Sequence, residues 1–174
     1  MDFLNVLGER RSTRAFLGKP LPEKALQKIL EAANSAPSAG NLQAYSIAVV
    51  QSEDKRKALA QAALGQHFIA QAPLALVFLA EPSRSAVKYG PRGARLYCVQ
   101  DATLAASFAW LAAVAQGLAC AWVGAFDDAA VKKLLDAPAE SIPIAVMPVG
   151  YAAEKPLRTG RRRLDELVSL EKTS

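Results

Sequence analysis

The sequence predicts an α+β or α/β sandwich, with helices packed around a sheet of four or five strands. Three observations carry that expectation. Helical and strand-like patterns alternate along all 174 residues, without an internal repeat. Leu74–Ala80, LALVFLA, is an unbroken apolar run of the kind found in strands covered on both faces. Ala102–Phe126 carries no formal charge over 25 residues, as a buried helix followed by a buried strand requires. No Pro- or Gly-rich boundary divides the chain, so residues 1–174 are expected to form a single domain.

Each element has a local reason. Phe3, Leu4 and Leu7 recur at helical spacing and predict a short first helix, weakened at Gly8. Pro22 and Glu23 open a second helix through Ala33, with Leu26, Ile29 and Leu30 as its apolar stripe. Asn34–Gln43, NSAPSAGNLQ, holds too many turn formers to be regular and predicts a structured loop. Ala44–Val50 reads as a strand and Asp54–Leu64 as a helix. Pro82, Gly90, Pro91 and Gly93 mark residues 81–97 as an excursion over the surface. Asp101 is a candidate cap for a helix from Ala102 to Gln116, ended by Gly117. Leu118–Val123 predicts a strand, and Asp127 or Asp128 starts a helix through Leu135. Ile142–Val149 predicts a last strand whose pairing Pro143 and Pro148 restrict. From Tyr151 the chain is polar and basic until LDELVSL. The helix from Ala102 is apolar on most of its circumference, which calls for a second wall such as a partner subunit.

Composition excludes several classes. Hydrophobic residues are 52% and charged residues 21%, which argues for a packed core and against disorder. Lys+Arg minus Asp+Glu is 21 − 16 = +5, which admits an anionic partner, either nucleic acid or a phosphorylated cofactor. The arginines gather at Arg10, Arg11 and Arg14 and again at Arg158, Arg161, Arg162 and Arg163. Two cysteines, Cys98 and Cys120, and one histidine, His67, exclude a disulfide framework and any two-histidine mechanism, and no metal site is expected. The start, MDFLNVLGERRS, lacks the layout of a secretory signal, so a cytoplasmic location is expected. The charge-free stretch holds ten alanines with Thr103, Ser107, Gln116 and Gly117, and reads as core rather than a membrane span.

The ordinary catalytic inventory is thin. There is no Walker loop, no GxGxxG after a strand and no G-x-S-x-G. Glu53/Asp54 and Asp127/Asp128 read as helix caps, Cys98 and Cys120 as small core residues, and His67 as a core-edge or surface residue. An enzyme with this inventory lets a cofactor carry the chemistry. Arg10-Arg11-Ser12-Thr13-Arg14 offers guanidinium forks and a hydroxyl suited to the phosphate of a phosphorylated flavin, and reads equally as a solvated basic turn. PSAGNLQ adds hydroxyl and amide groups able to bond a ribityl chain or a pyrimidine edge.

Taken together, these segments resemble the FMN-dependent nitroreductase family, in its short single-domain form. The resemblance runs through ERRSTRAF at 9–16, APSAGNLQAY at 36–45, QAPLALVF at 71–78 and YGPRG at 89–93. It continues through QDATLAASFAWLAAVAQGLACAWVGAFD at 100–127, VGYAAEKP at 149–156 and RRRLDELV at 161–168. It implies a three-layer α+β sandwich with a central, mostly antiparallel sheet. It also implies an intertwined homodimer with FMN at the interface. On the matching positions, Arg10, Arg11 and Ser12 surround the phosphate and ribityl end, and Arg14 lies near flavin N1 and the C2 carbonyl. Pro37, Ser38, Ala39, Asn41 and Gln43 approach the flavin from the other subunit, and Gln66 meets the pyrimidine edge. Val123, Gly124 and Ala125 pass the central ring, with a backbone N–H of Gly124 or Ala125 at N5. Arg161 and Arg162 match the C-terminal phosphate ligands, and the run Arg161-Arg162-Arg163 leaves the contacting arginine open. Ala44-Tyr45 stands where the family often has Pro before an aromatic residue, and Arg162-Arg163-Leu164 where it often has Arg-Arg-Pro-Leu.

The activity so implied is transfer of electrons from NAD(P)H through FMN to nitroaromatic, quinone or similar electron-poor small molecules by a ping-pong mechanism. No side chain is expected to act as a catalytic base. Tyr89, Tyr97 and Phe108 are candidates for the pocket rim or for dimer packing, and residues 81–97 for a lid that sets substrate preference. The rival readings are flavin destruction or dehalogenation on the same fold and, from a different class, a nucleic-acid-binding protein. The family reading carries neither a nucleic-acid partner nor a membrane.

Overall fold

All seven residues of Leu74–Ala80 are buried, and the sheet is built around them. The computed structural model describes residues 2–171. In chain order the elements are α1 (Phe3–Glu9), β1 (Phe16–Leu17), α2 (Glu23–Asn34), β2 (Tyr45–Val50), α3 (Glu53–Ala62), α4 (Phe68–Gln71) and β3 (Leu74–Ala80). They continue with α5 (Pro82–Arg92), α6 (Cys98–Ala115), β4 (Ala119–Cys120), α7 (Asp128–Leu135) and β5 (Ile142–Ala152). The strands lie in the order β1-β5-β3-β2, and β4 also pairs with β5. Every ladder between named strands is antiparallel.

Alternation along β3 divides the core into two layers. Leu74, Leu76 and Phe78 join Met147 and Val149 under α1, α2 and α6. Ala75, Val77 and Leu79 join Val146 on the opposite face, against Leu59, Ile69 and Val131 from α3, α4 and α7. The expected three-layer sandwich with a mostly antiparallel sheet is the observed one. Arg56 of α3 ties the second layer together, donating from Nη1 to the Ala70 carbonyl at 2.5 Å and also to that of Ala72.

Four expectations need correction. The excursion at 81–97, for which no element was expected, is helical: α5 runs into one π-helical turn over Gly93–Tyr97, which continues directly into α6. The helix therefore begins at Cys98, and Asp101 lies inside it rather than capping it. Leu118–Val123 forms only the two-residue β4 and an isolated bridge from Val123 to Val146. Pro143 and Pro148 do not keep β5 from the middle of the sheet. A register shift between Phe78 and Leu79 leaves Ile144 unpaired beside Pro143, where the ladder already lacks an N–H. The sequence reading missed β1 and α4 altogether.

The run Pro82–Ala115 is long and apolar enough to cross a membrane by length and composition. Much of its apolar surface instead packs inside the protein, with Ala102, Ala105, Ala106, Ala109 and Ala113 fully buried. One stripe of α6 stays open: Leu104 and Phe108, one helical turn apart, are exposed. Exposed Phe3, Leu4 and Leu7 of α1 add to the apolar surface. The all-round apolar helix thus does lack part of its wall.

Candidate functional site

Two features at opposite ends of α6 hold most of the residues singled out from sequence. The first is a cleft of about 270 Å³ where the end of α1 meets the C-terminal strand's extension. Segment 10–14 is held there by β4: Ser12 bridges Cys120, and the Thr13 N–H donates to the Cys120 carbonyl at 3.0 Å. The chain beyond β5 returns alongside it, with the Ala153 N–H on the Ala15 carbonyl at 2.9 Å and the Arg14 N–H on Glu154 Oε1 at 2.6 Å. Arg10, Arg11, Ser12, Arg14, Arg158 and Arg161 line the cleft. None of its five guanidinium groups forms an ion pair with a carboxylate among the described residues.

This crowding leaves an electrostatic mark. Arg10 is held below its usual arginine range, first by partial burial and then by repulsion from Arg161 and Arg11. Its guanidinium lies 4.8 Å from the centroid of the Trp110 ring. Arg11 is partly occupied, donating from Nη1 to the Gly8 and Arg10 carbonyls at 2.6 and 2.9 Å. Five guanidinium groups around a small cleft with a serine hydroxyl, none ion-paired among the described residues, suit a phosphate dianion.

The run of three arginines separates cleanly. Arg161 faces the cleft. Arg162 turns away to Glu166, with Nε 3.3 Å from Oε2, and Arg163 pairs with Asp165 at 2.6 Å. Arg162 therefore does not join the site in this chain. The i,i+4 spacing of Arg162 and Glu166 is the signal that could have shown it.

The second feature is the loop after α2. A 3-10 turn at Ala39–Asn41 carries positive φ at Gly40 (57°) and Asn41 (59°), and Gln43 (43°) follows. Two of these are not glycine, so the surroundings must hold the loop in place. Ser38 Oγ accepts the Gln43 N–H at 3.0 Å, and Gln43 Nε2 donates to Asn41 Oδ1 at 2.7 Å. From α6, Asp101 Oδ1 accepts the Ala39 N–H at 2.9 Å, and Oδ2 accepts the Ala44 N–H at the longer distance of 3.4 Å. Asp101 is 2% exposed and clamps both ends of the loop. From α5, Arg84 Nε donates to the Leu42 carbonyl at 2.5 Å. Gly40 has φ 57°, which favours glycine, and a Cβ there would stand 2.5 Å from the Tyr89 hydroxyl, so any larger residue would have to push that side chain aside. Pro37, Ser38 and Ala39 line a cavity of about 570 Å³ together with residues 97–104 of the π-helical turn and α6, Asp101 among them.

A third group is smaller. Gln66 Nε2 donates to the Ala63 and Ala125 carbonyls at 2.9 and 3.2 Å, which joins Gln66 to the segment Val123–Ala125. Val123 is fixed by its bridge to Val146, whereas Gly124 and Ala125 are exposed. Neither donates its N–H to a protein group among the described residues. His67 is exposed at the head of α4.

Both cysteines are buried, as expected of core residues. Burial pushes the thiols of Cys120 and Cys98 up, so both stay protonated at neutral pH. The native protein is therefore expected to react slowly with a disulfide reagent such as DTNB. Denaturation should release two thiols per chain, and fast labelling of either before unfolding would contradict this packing.

The structure thus gathers Arg10, Arg11, Ser12, Arg14 and Arg161 at one place, Pro37–Gln43 at another, and Gln66 with Ala125 at a third. Sequence reasoning counted Arg158 in the basic cluster without placing it at the site, read Tyr89 as pocket rim or dimer packing and Asp101 as a helix cap, and gave no role to Trp110 under Arg10 or to Arg84 at the loop. A model described as the nitroreductase family matches residues 7–81 and 62–151. The chain is 33% identical over 187 residues to an NADH dehydrogenase of Thermus thermophilus, covering 92% of this chain and 91% of that one. The solved NADPH:FMN oxidoreductase of Vibrio harveyi, complexed with NAD+, superposes with a TM-score of 0.89 at 27% identity, over 99% of this chain and 78% of that one. An FMN-dependent nitroreductase of Clostridium difficile superposes with a TM-score of 0.81 at 26% identity, over 98% of this chain and 99% of that one.

Proposed function

Because the chain belongs to the nitroreductase family, we propose that it is an FMN-dependent oxidoreductase that carries electrons from NAD(P)H to nitroaromatic, quinone or similar electron-poor acceptors. The observation that carries this reading is the cleft of five arginines without ion pairs among the described residues, with Arg10 held below its usual range by partial burial and then by its neighbours Arg161 and Arg11. Such a cluster is relieved by a dianion, and the phosphate of FMN is one. Bound FMN would supply the redox chemistry, taking a hydride from NAD(P)H and then, in ping-pong order, reducing the acceptor.

The chain's own residues bind and tune. Arg10, Ser12 and Arg161 hold the phosphate end, joined by Arg158. Arg11 contributes charge while fixing the end of α1. Arg14 brings positive charge to the pyrimidine edge, which favours electron uptake there. Gly124 and Ala125 offer backbone N–H groups to the hydride-accepting edge, and Gln66 steadies that segment. No side-chain base is required.

The loop Pro37–Gln43 reaches the same cofactor only from a second copy. Asp101, which holds the loop, and Trp110, which lies under Arg10, are nine residues apart on α6. That spacing is about 13 Å along the axis and half a turn around it, so the two features face opposite ways. Exposed Leu104 and Phe108 provide an apolar surface for such a copy. We therefore read the chain as a cytoplasmic homodimer with a shared site.

The test is an absorption spectrum of freshly purified protein, release of any flavin, and stopped-flow reduction by NADH and NADPH. About one FMN per chain, with bleaching by at least one nicotinamide, is the expected result. A protein that binds no added FMN, or whose FMN neither nucleotide reduces, overturns the reading.

A further inference from the structure

Trp122 stands two residues before Gly124, in the stretch that links the arginine cleft to the exposed backbone N–H groups. At the start of that stretch the Cys120 carbonyl accepts the Thr13 N–H and so holds the arginine segment. Four residues later, at most about 14 Å of chain away, Gly124 is exposed. The backbone between them is pinned. Val123 and Val146 exchange both backbone bonds, at 3.0 and 2.9 Å. Val123 thereby points into the layer with α3, α4 and α7. Trp122 packs against the other layer, with Cys120 and Trp110, on the side of the sheet where Arg10 lies over Trp110.

Trp122 is half-buried, so its indole has an apolar body inside and a polar edge outside. Trp110 differs: its Nε1 is sealed from solvent without a partner. The polar edge of Trp122 is turned to Gly124. A Cβ on Gly124 would stand 3.4 Å from Trp122 Nε1 and 3.8 Å from Cδ1. Chain neighbours aside, no other atom among the described residues comes within 4 Å of that point. The opening that glycine leaves at 124 is therefore walled by the indole N–H edge. The Trp122 indole makes no hydrogen bond among the described residues, and neither do the N–H groups of Gly124 and Ala125. Three N–H donors thus stand unused within four residues of chain. With no side chain at 124, a flat ring can approach the backbone closely enough to meet them.

We propose that the Trp122 indole N–H donates to the C4 carbonyl of bound FMN, next to the N5 position that the Gly124 or Ala125 N–H reaches. This rests on the proposed function and adds to it a side chain that tunes the reactive edge. A hydrogen bond strengthens as its acceptor gains negative charge. Electron uptake adds negative charge to this edge, so the Trp122 bond is stronger to the reduced cofactor than to the oxidised one. An indole N–H only donates, so Trp122 neither gives up nor takes a proton in the reaction.

The chain has two tryptophans, so a ¹H–¹⁵N spectrum of labelled apoprotein shows two indole signals. Trp122→Phe assigns them, and Trp110→Phe gives the same assignment independently. Adding FMN is expected to move the Trp122 indole proton downfield and to slow its exchange with water at least roughly tenfold. In Trp122→Phe, FMN should bind about three- to tenfold more weakly. Spectroelectrochemistry should also show the preference for reduced over oxidised FMN falling about tenfold, a midpoint lower by about 30 mV for the two-electron couple. A purely structural role for Trp122 would leave that midpoint in place. FMN bound in full with the Trp122 signal unmoved or moved upfield, or a change in the preference of less than about twofold, overturns the inference and leaves the flavin reading standing. No FMN bound by the wild type overturns both.

Discussion

Replacing both Arg10 and Arg161 with glutamine is expected to weaken FMN binding by about three orders of magnitude. Each guanidinium lost removes charge-assisted bonds that contribute roughly 2 kcal/mol net, and two such losses reach about 4 kcal/mol. The apo protein should behave differently. Without a ligand these two cations repel each other, which adds to the partial burial that holds Arg10 below its usual range. The substitution removes that repulsion and also the contact of Arg10 with Trp110, a contact that contributes about 0.5–1 kcal/mol. The opposing effects leave apo stability within about 1 kcal/mol of the wild type. Titration of apoprotein with FMN, followed by flavin fluorescence, reads the affinity, and thermal melting reads the stability. Arg162→Gln is the control: its exposed pair with Glu166 lies outside the cleft, so affinity should change less than about twofold. Equal losses from Arg161 and Arg162 variants would mean that the tail takes another arrangement when FMN binds.

Asp101→Ala is expected to cost about 3 kcal/mol of stability, through the loop rather than through α6. The carboxylate accepts two buried N–H groups, those of Ala39 and Ala44, and each orphaned donor costs roughly 1–3 kcal/mol. Two such donors together span roughly 2–6 kcal/mol, and the weaker 3.4 Å bond keeps the sum in the lower half of that span. For a chain of this size the melting temperature should fall by about 6–12 °C. The loop would then lose what holds Asn41 and Gln43 at positive φ, and protease cleavage within 37–43 should precede global unfolding. Asp101→Asn keeps one acceptor oxygen and points an amide at the other N–H, so its loss should be intermediate. A melting temperature within about 2 °C of wild type for the alanine variant would remove Asp101 from this role.

Asp101 also marks where sequence reasoning stops. A carboxylate ahead of a charge-free helical run is a sound signal for a group that receives backbone N–H bonds, and Asp101 does receive them. The donors belong to a loop about sixty residues earlier in the chain, a pairing that local spacing cannot reveal. The excursion at 81–97 failed for a related reason. Gly90 and Pro91 do interrupt the chain, but Gly90 absorbs the turn and Pro91 begins the next stretch, so the breakers sit inside a continuing helical path. β1 and α4, two and four residues long, are too short for any periodicity. β3 was legible because both of its faces are buried, and the arginine cluster because its two halves are dense. Their meeting at one cleft depends on β5 returning the chain beside residue 15.

That return makes the sheet a late event in the life of the chain. β5 pairs with β1, β3 and β4, and Phe16 meets Ala152 across 136 residues of sequence. A polypeptide emerging from the ribosome therefore presents β2 and β3 long before β5 can cover the free edge of β3. Over that interval the edge is an apolar template for mispairing with another chain. Closure must also wait for contacts of long sequence separation, which slows it. The interval between β3 and β5 is therefore the part of synthesis in which mispairing competes most directly with folding.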